Sequence, residues 1–146
     1  MKYMTLDEIQ KEIIAEFGQF GDWMEKYDYL IEISKELEPI DARFKTPDNL
    51  IRGCQSRVWL VADVQEDKLV FKADSDAIIT KGIIALLIKV LSGRKPEEVM
   101  NANLYFIDEI GLRQNLSPTR SNGLLSMIKQ MKMYALAYHT KLSTQN

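Results

Sequence analysis

The chain of 146 residues contains a single cysteine and a single histidine. One cysteine excludes an internal disulfide. It also excludes a zinc site or an iron–sulfur cluster held by several thiolates of this chain. With His139 as the only histidine, no cysteine–histidine pair has the spacing of a metal site, and a histidine base for a cysteine hydrolase is not evident. Long apolar runs are missing too. The longest, Gly82 to Ile88, is far shorter than the roughly 20 residues a membrane span needs. There is no glycine-rich phosphate loop, since Gly93 and Gly111 stand alone as turn glycines. Nor is there an excess of one charge. A formal net charge of −2 gives no strong electrostatic case for nucleic acid or for an anionic membrane. No apolar stretch follows Met1-Lys2-Tyr3-Met4, so a secretory leader is not expected. These absences lead us to expect a soluble, cytoplasmic protein whose thiol stays reduced.

What is present is ordinary globular material, 46% hydrophobic and 27% charged. The length suits one domain with its own core, taken as residues 1–146 with a core over about 6–139. Thr5-Leu6-Asp7-Glu8 is a capping box, and Leu6, Ile9, Ile13 and Phe17 follow at helical spacing. A second helix places Trp23, Tyr27, Leu30 and Leu37 inward and is closed by Pro39. Residues 58–64 and 68–73 alternate, with Glu66-Asp67 between them at hairpin distance. Leu50-Ile51 could supply a further strand. A nearly all-round apolar helix over Ala77 to Leu91 is expected to be buried, with Asp74-Ser75-Asp76 as its cap and Gly93 after its end. Pro96 opens a short helix, Leu104 to Leu112 reads as helical, and Ser117-Pro118 starts a last helix with Leu124, Ile128, Met131, Ala135 and Tyr138 on one face. Ser143 to Asn146 are expected to fray. Helices, hairpin, helices in that order predict an α+β fold.

Cys54 is the strongest nucleophile candidate. Gly53 before it permits unusual backbone, and Arg52 and Arg57 nearby could lower the thiol pKa. A buried, inert cysteine is the competing reading. His139 reads as a surface residue, and Trp59 as core rather than a stacking platform. Asp74 and Asp76 read as helix caps rather than an acid–base pair. Arg120, at the start of the last helix, could bind an anion or a partner's carboxylate, or simply be solvated.

Gly53-Cys54-Gln55-Ser56-Arg57-Val58-Trp59-Leu60 resembles the cysteine loop and following strand of the SufE-type sulfur acceptors. Further blocks resemble that family in the same order. They are Asp74-Ser75-Asp76 with Lys81 to Leu87, Ser92 to Glu98, Gly111-Leu112, and Leu116 to Leu124 with its Ser121-Asn122-Gly123. Gln55-Ser56 and Ser121-Asn122-Gly123 look closer to SufE than to its CsdE paralogue. The resemblance implies an α+β domain with a curved antiparallel sheet packed by helices, like the IscU scaffolds. It implies that Cys54 accepts persulfide sulfur from a SufS-type cysteine desulfurase, stimulates that enzyme, and passes sulfur to an iron–sulfur scaffold such as the SufBCD complex. Pyridoxal phosphate would be the desulfurase's cofactor, and this chain would hold none and bind no metal. Gly53, Gln55 and Ser56 would shape the loop, Asp74 and Asp76 would support it, and Arg120 would face the desulfurase. Arg52 inherits no role. The persulfide's sensitivity leads us to expect an apolar shelter for Cys54. Competing readings are a CsdE-like acceptor feeding another sulfur pathway, and a regulatory module that carries no sulfur. A cluster scaffold would need more cysteines.

Overall fold

The computed structural model describes residues 4–144. The capping box forms as the sequence requires: Thr5 Oγ1 accepts from the Glu8 N–H at 3.1 Å and the Thr5 N–H donates to Glu8 at 2.9 Å. It opens α1, Leu6–Gly18, whose buried face is Ile9, Ile13 and Phe17. Gln10 lies on that face as well. Its amide donates to the Asn103 carbonyl and accepts from the Phe106 N–H, so a buried polar group is used in tying α1 to a later segment. Asp22 caps α2, Trp23–Ser34. This helix ends five residues before Pro39, because residues 35–37 turn back through successive short-range bonds to Glu32, Ile33 and Ser34. Leu37 therefore lies outside the helix, although it still packs on the core.

Strands β1, Val58–Gln65, and β2, Lys68–Ser75, form an antiparallel hairpin, each longer than the alternation alone marks. Its turn has positive φ at both Glu66 (52°) and Asp67 (66°), the conformation that follows the twist of a two-residue hairpin. The register sets Leu60 opposite Ala73 and Ala62 opposite Phe71, so one face of the hairpin is apolar. These two strands are the whole sheet among the described residues. Leu50-Ile51 adds a single bridge to Trp59 rather than a strand. Both outer edges are nonetheless covered. Tyr134 and Tyr138 donate to the Leu60 and Ala62 carbonyls, and Ser92 to Arg94 bond Leu69 and Phe71.

Helix α3, Ile78–Leu91, lies beneath this face and against α2, with most of its residues buried, as its all-round apolar character predicts. Asp74 and Asp76 do not cap it. Ala77 is the N-cap and provides no side-chain bond, while Ser75 Oγ accepts from the Ala77 N–H at 3.2 Å. The carboxylates belong to the strand end and have other partners. Arg94 follows α3 with its Nε donating to the Val90 carbonyl, and α4, Pro96–Met100, begins at the expected proline. The helical reading of Leu104 to Leu112 shrinks to α5, Phe106–Glu109, because Gly111 (φ 72°) turns the chain. Ser117 Oγ accepts from the Arg120 N–H and starts the 27-residue α6, Pro118–Thr144. This helix packs against α4 and α3 and reaches the hairpin edge through Tyr134 and Tyr138. Leu124, Met131 and Ala135 are buried as expected, and Ile128 and Tyr138 pack at the margin. Ser143 and Thr144, expected to fray, are the last residues of α6. The readings on Met1 to Tyr3 and on Gln145-Asn146 lie outside the described residues. Among the described residues no helix is long and apolar enough to cross a membrane.

Candidate functional site

The cysteine loop is pinned by hydrogen bonds at its base and seated against the last helix at its tip. At the base the Ile51 N–H donates to the Val58 carbonyl at 2.9 Å. The Arg57 N–H donates to Asp76 Oδ1 at 3.0 Å, and the Arg57 carbonyl accepts from Ser75 Oγ at 2.8 Å and from the Asp76 N–H at 3.2 Å. Asp76 thus holds the loop's exit. Asp74 stands a step away, bonded to Lys45 at 2.6 Å and Lys81 at 3.3 Å. Burial acts to raise the Asp74 carboxyl, but the Lys45 ammonium, the Ser75 N–H and Lys81 outweigh it and hold it below the usual carboxylate range. Lys45 also lies over the Trp59 ring at 5.5 Å, so Trp59 is half-buried under a cation rather than part of the core.

The tip leans on the first turns of α6. Gly53 has φ 92°, and a Cβ there would lie 2.3 Å from Ser126 Oγ and 3.2 Å from its Cβ. Cys54 Sγ sits 3.6 Å from the Gly123 carbonyl, to which the thiol donates. Gly123 itself is buried, and a side chain there would start 3.5 Å from the sulfur. Residues 69 positions apart in sequence are thereby joined. Burial pushes the Cys54 thiol above its ordinary range, with no offsetting charge. This corrects the expectation drawn from Arg52 and Arg57, which are exposed and do not lower the thiol.

Beside the sulfur opens a pocket of about 420 Å³. It gathers Cys54, Gln55, Ser56 and Arg120, with Thr80 and Ile83 of α3 and Ser117, Thr119, Gly123 and Met127 around α6. Its wall carries hydroxyls and a guanidinium, so the apolar shelter expected from sequence is only the floor made by Ile83 and Met127. Asp74 and Asp76 stay outside it, as does His139, which is partly buried beside Lys95 and Glu97. Thr80, Gly123 and Ser126 are the participants that sequence reasoning missed. The one signal for Thr80 was a hydroxyl in a helix that is apolar nearly all round apart from its lysines. Among the described residues no group of three acidic, histidine or cysteine side chains could hold a metal ion.

Because the thiolate is the reactive form, Cys54 is expected to alkylate more slowly at neutral pH than an exposed cysteine. Its rate should climb as pH rises through the elevated thiol pKa. Gly53→Ala should speed alkylation roughly tenfold, since a side chain disfavours positive φ by about 1–2 kcal/mol and meets Ser126. Alkylation followed by intact mass against pH checks both. Equal rates for Gly53→Ala and the parent protein would mean that the tip is not held against α6.

Fold and site together define a single-thiol α+β domain whose one cysteine is parked on a clamped loop beside a polar pocket. Residues 11–135 match the profile of the family described as SufE, an Fe–S metabolism associated domain. The chain is 42% identical over 132 residues to SufE-like protein 1, chloroplastic/mitochondrial, of Arabidopsis thaliana, which spans 90% of this chain but 36% of the plant protein. It is 35% identical over 138 residues to an uncharacterized SufE-like protein of Synechocystis, covering 94% of this chain and 87% of that one. It is 38% identical over 126 residues to a SufE-like protein of Rhizobium etli, covering 83% and 85% of the two chains. The solution structure of a hypothetical protein from Thermus thermophilus shares the fold, with a TM-score of 0.75 at 21% identity over 90% of this chain and 96% of that one. The protein belongs to the SufE family.

Proposed function

We propose that this protein is a covalent sulfur carrier. Cys54 takes persulfide sulfur from a cysteine desulfurase of the SufS type, relieves that enzyme for another turnover, and delivers the sulfur to an iron–sulfur assembly scaffold such as the SufBCD complex. The observation that carries this reading is the parking of the only thiol on a loop clamped at its base, with an open pocket beside the sulfur. A donor persulfide, R–S–SH, is attacked at its outer sulfur by the Cys54 thiolate. The Sγ–S bond forms, the donor S–S bond breaks, and the donor leaves as a thiolate. The products are Cys54–S–SH and R–S⁻, with no oxidant and no metal consumed. The chain needs no cofactor of its own for this exchange, and the pyridoxal phosphate stays with the desulfurase. The raised thiol pKa suits a carrier that rests unreactive and gains thiolate when docking lifts the tip from α6. Gly53, Gln55 and Ser56 give the tip its shape, Asp76 fixes its base, and Asp74 steadies the neighbouring strand end. The cytoplasm, where a lone thiol stays reduced, is the fitting compartment.

Arg120 is exposed at the pocket mouth and has no acidic partner among the described residues, which suits it to a carboxylate on the desulfurase. Arg120→Ala should fold normally, because an exposed arginine contributes little to stability. It should require roughly tenfold more protein for half-maximal desulfurase stimulation, the loss of a charge-assisted bond. Unchanged stimulation by the folded variant would take Arg120 out of the interface. The carrier reading itself is tested by intact mass after incubation with desulfurase, pyridoxal phosphate and cysteine. The protein should gain one sulfur atom, mapped to Cys54 and removed by a dithiol.

A further inference from the structure

Thr80 lies in the first turns of α3 with 8% of its surface exposed, and it lines the Cys54 pocket. Among the described residues its hydroxyl makes no hydrogen bond. The hydroxyl is not sealed from solvent; it opens on the pocket, where a group bound beside the sulfur can reach it. Across the pocket the guanidinium of Arg120 has no acidic partner, and the hydroxyls of Ser56 and Thr119 make no hydrogen bond among the described residues. The Ser117 hydroxyl accepts from the Arg120 N–H and keeps its own proton to give. These groups can all donate, and no acceptor among the described residues takes their protons. The same pocket holds one acceptor that the sulfur already uses, the Gly123 carbonyl, to which the thiol donates at 3.6 Å.

We propose that the pocket holds the outer sulfur of loaded Cys54 as a perthiolate anion, with the Thr80 hydroxyl as a hydrogen-bond donor to it. The inference rests on the carrier reading and adds the charge state and the holding groups. Loading converts Cys54–S⁻ and R–S–SH into Cys54–S–SH and R–S⁻, as above. The outer S–H is a stronger acid than the parent thiol and gives its proton to water. The resulting anion has no proton for the Gly123 carbonyl and is repelled by it. It turns from that carbonyl to the unused donors of the pocket, which make charge-assisted bonds to it. The added sulfur reaches about 2.05 Å beyond Sγ, which the pocket accommodates. The same site therefore distinguishes two states: an empty thiol bonded to a carbonyl, and a loaded anion bonded to hydroxyls and Arg120.

The test loads Cys54 without any desulfurase. The Cys54 thiolate is first exchanged with a symmetrical aromatic disulfide, which leaves Cys54 in a mixed disulfide and releases one aromatic thiolate. Hydrosulfide then attacks Sγ, the Sγ–S bond forms, and the aromatic thiolate leaves. Intact mass confirms one added sulfur, and the near-ultraviolet absorbance of the perthiolate is titrated against pH. Thr80→Val should raise the perthiolate midpoint by about one pH unit, the loss of one hydrogen bond to a charged group. Thr80→Ser should titrate like the parent protein, and the unloaded Cys54 thiol should titrate alike in all three. Thr80→Ala serves in place of Thr80→Val if the latter does not fold. An unchanged perthiolate midpoint in the folded variant overturns the proposal. Equal shifts of the loaded and unloaded titrations also overturn it, because Thr80 would then only pack the loop. If the midpoint shifts but the desulfurase never adds sulfur, the pocket holds a perthiolate and the carrier reading alone fails.

Discussion

The Cys54→Ser protein is expected to gain no sulfur and to leave the desulfurase at its unstimulated rate of alanine production, with cysteine as the only reducible thiol present. The whole effect should be lost, because a serine hydroxyl is a far poorer nucleophile toward sulfur and cannot store it as a persulfide. The variant should fold like the parent. Serine is smaller than cysteine by little, and its hydroxyl can donate to the same Gly123 carbonyl that the thiol meets at 3.6 Å. Stability should stay within about 1 kcal/mol, as for a local change in a half-buried loop. Docking depends on a surface that includes Arg120, so binding to the desulfurase should persist. Alanine production as fast as with the parent protein would remove Cys54 from the sulfur path and favour a regulatory module.

Gly82→Ala is expected to destabilise the fold by about 2 kcal/mol, although helix propensity alone gives alanine an advantage of about 1 kcal/mol over glycine. The reason is the crossing of α2 and α3. A Cβ at position 82 would lie 2.4 Å from the Leu30 carbonyl oxygen and 2.9 Å from its carbon. Both are main-chain atoms, so no rotamer change relieves the clash and the helices must separate. Overpacking of this kind costs about 3 kcal/mol against the propensity gain. For a domain of this length a net loss of about 2 kcal/mol lowers the melting temperature by about 4–8 °C. Gly18→Ala is the control, since nothing lies within 4 Å of a Cβ there, and it should leave the melting temperature unchanged or slightly raised. A Gly82→Ala protein as stable as the parent would show that α2 and α3 are not in close contact at Leu30.

Several elements were legible because their causes are local. The capping box at Thr5, the alternation of the hairpin, Pro96 at a helix start and the apolar girth of α3 each depend on residues within one or two turns of the chain. The misreadings have local appeal and tertiary answers. Pro39 looked like the end of α2, but the helix closes at Ser34 through bonds a proline does not control. Asp74 and Asp76 looked like helix caps, yet the strand register carries Asp74 to two lysines and Asp76 to the Arg57 N–H. Arg52 and Arg57 flank the cysteine in sequence, but flanking residues of a bent loop do not have to face the same atom.

By itself the sequence determined that one thiol must do any sulfur chemistry, that it follows a glycine in a loop before a hairpin, and which family pattern surrounds it. Composition and near-neighbour spacing suffice for that, because they count residues and set backbone preference along one stretch of chain. Only the tertiary structure decided what the thiol meets. Gly123 and Ser126 give the loop its seat, Thr80 and Arg120 line the pocket beside it, and each comes from a distant part of the chain. The ionisation of a sulfur depends on burial and on the charges and dipoles within a few ångströms, and folding, not sequence order, assembles those neighbours.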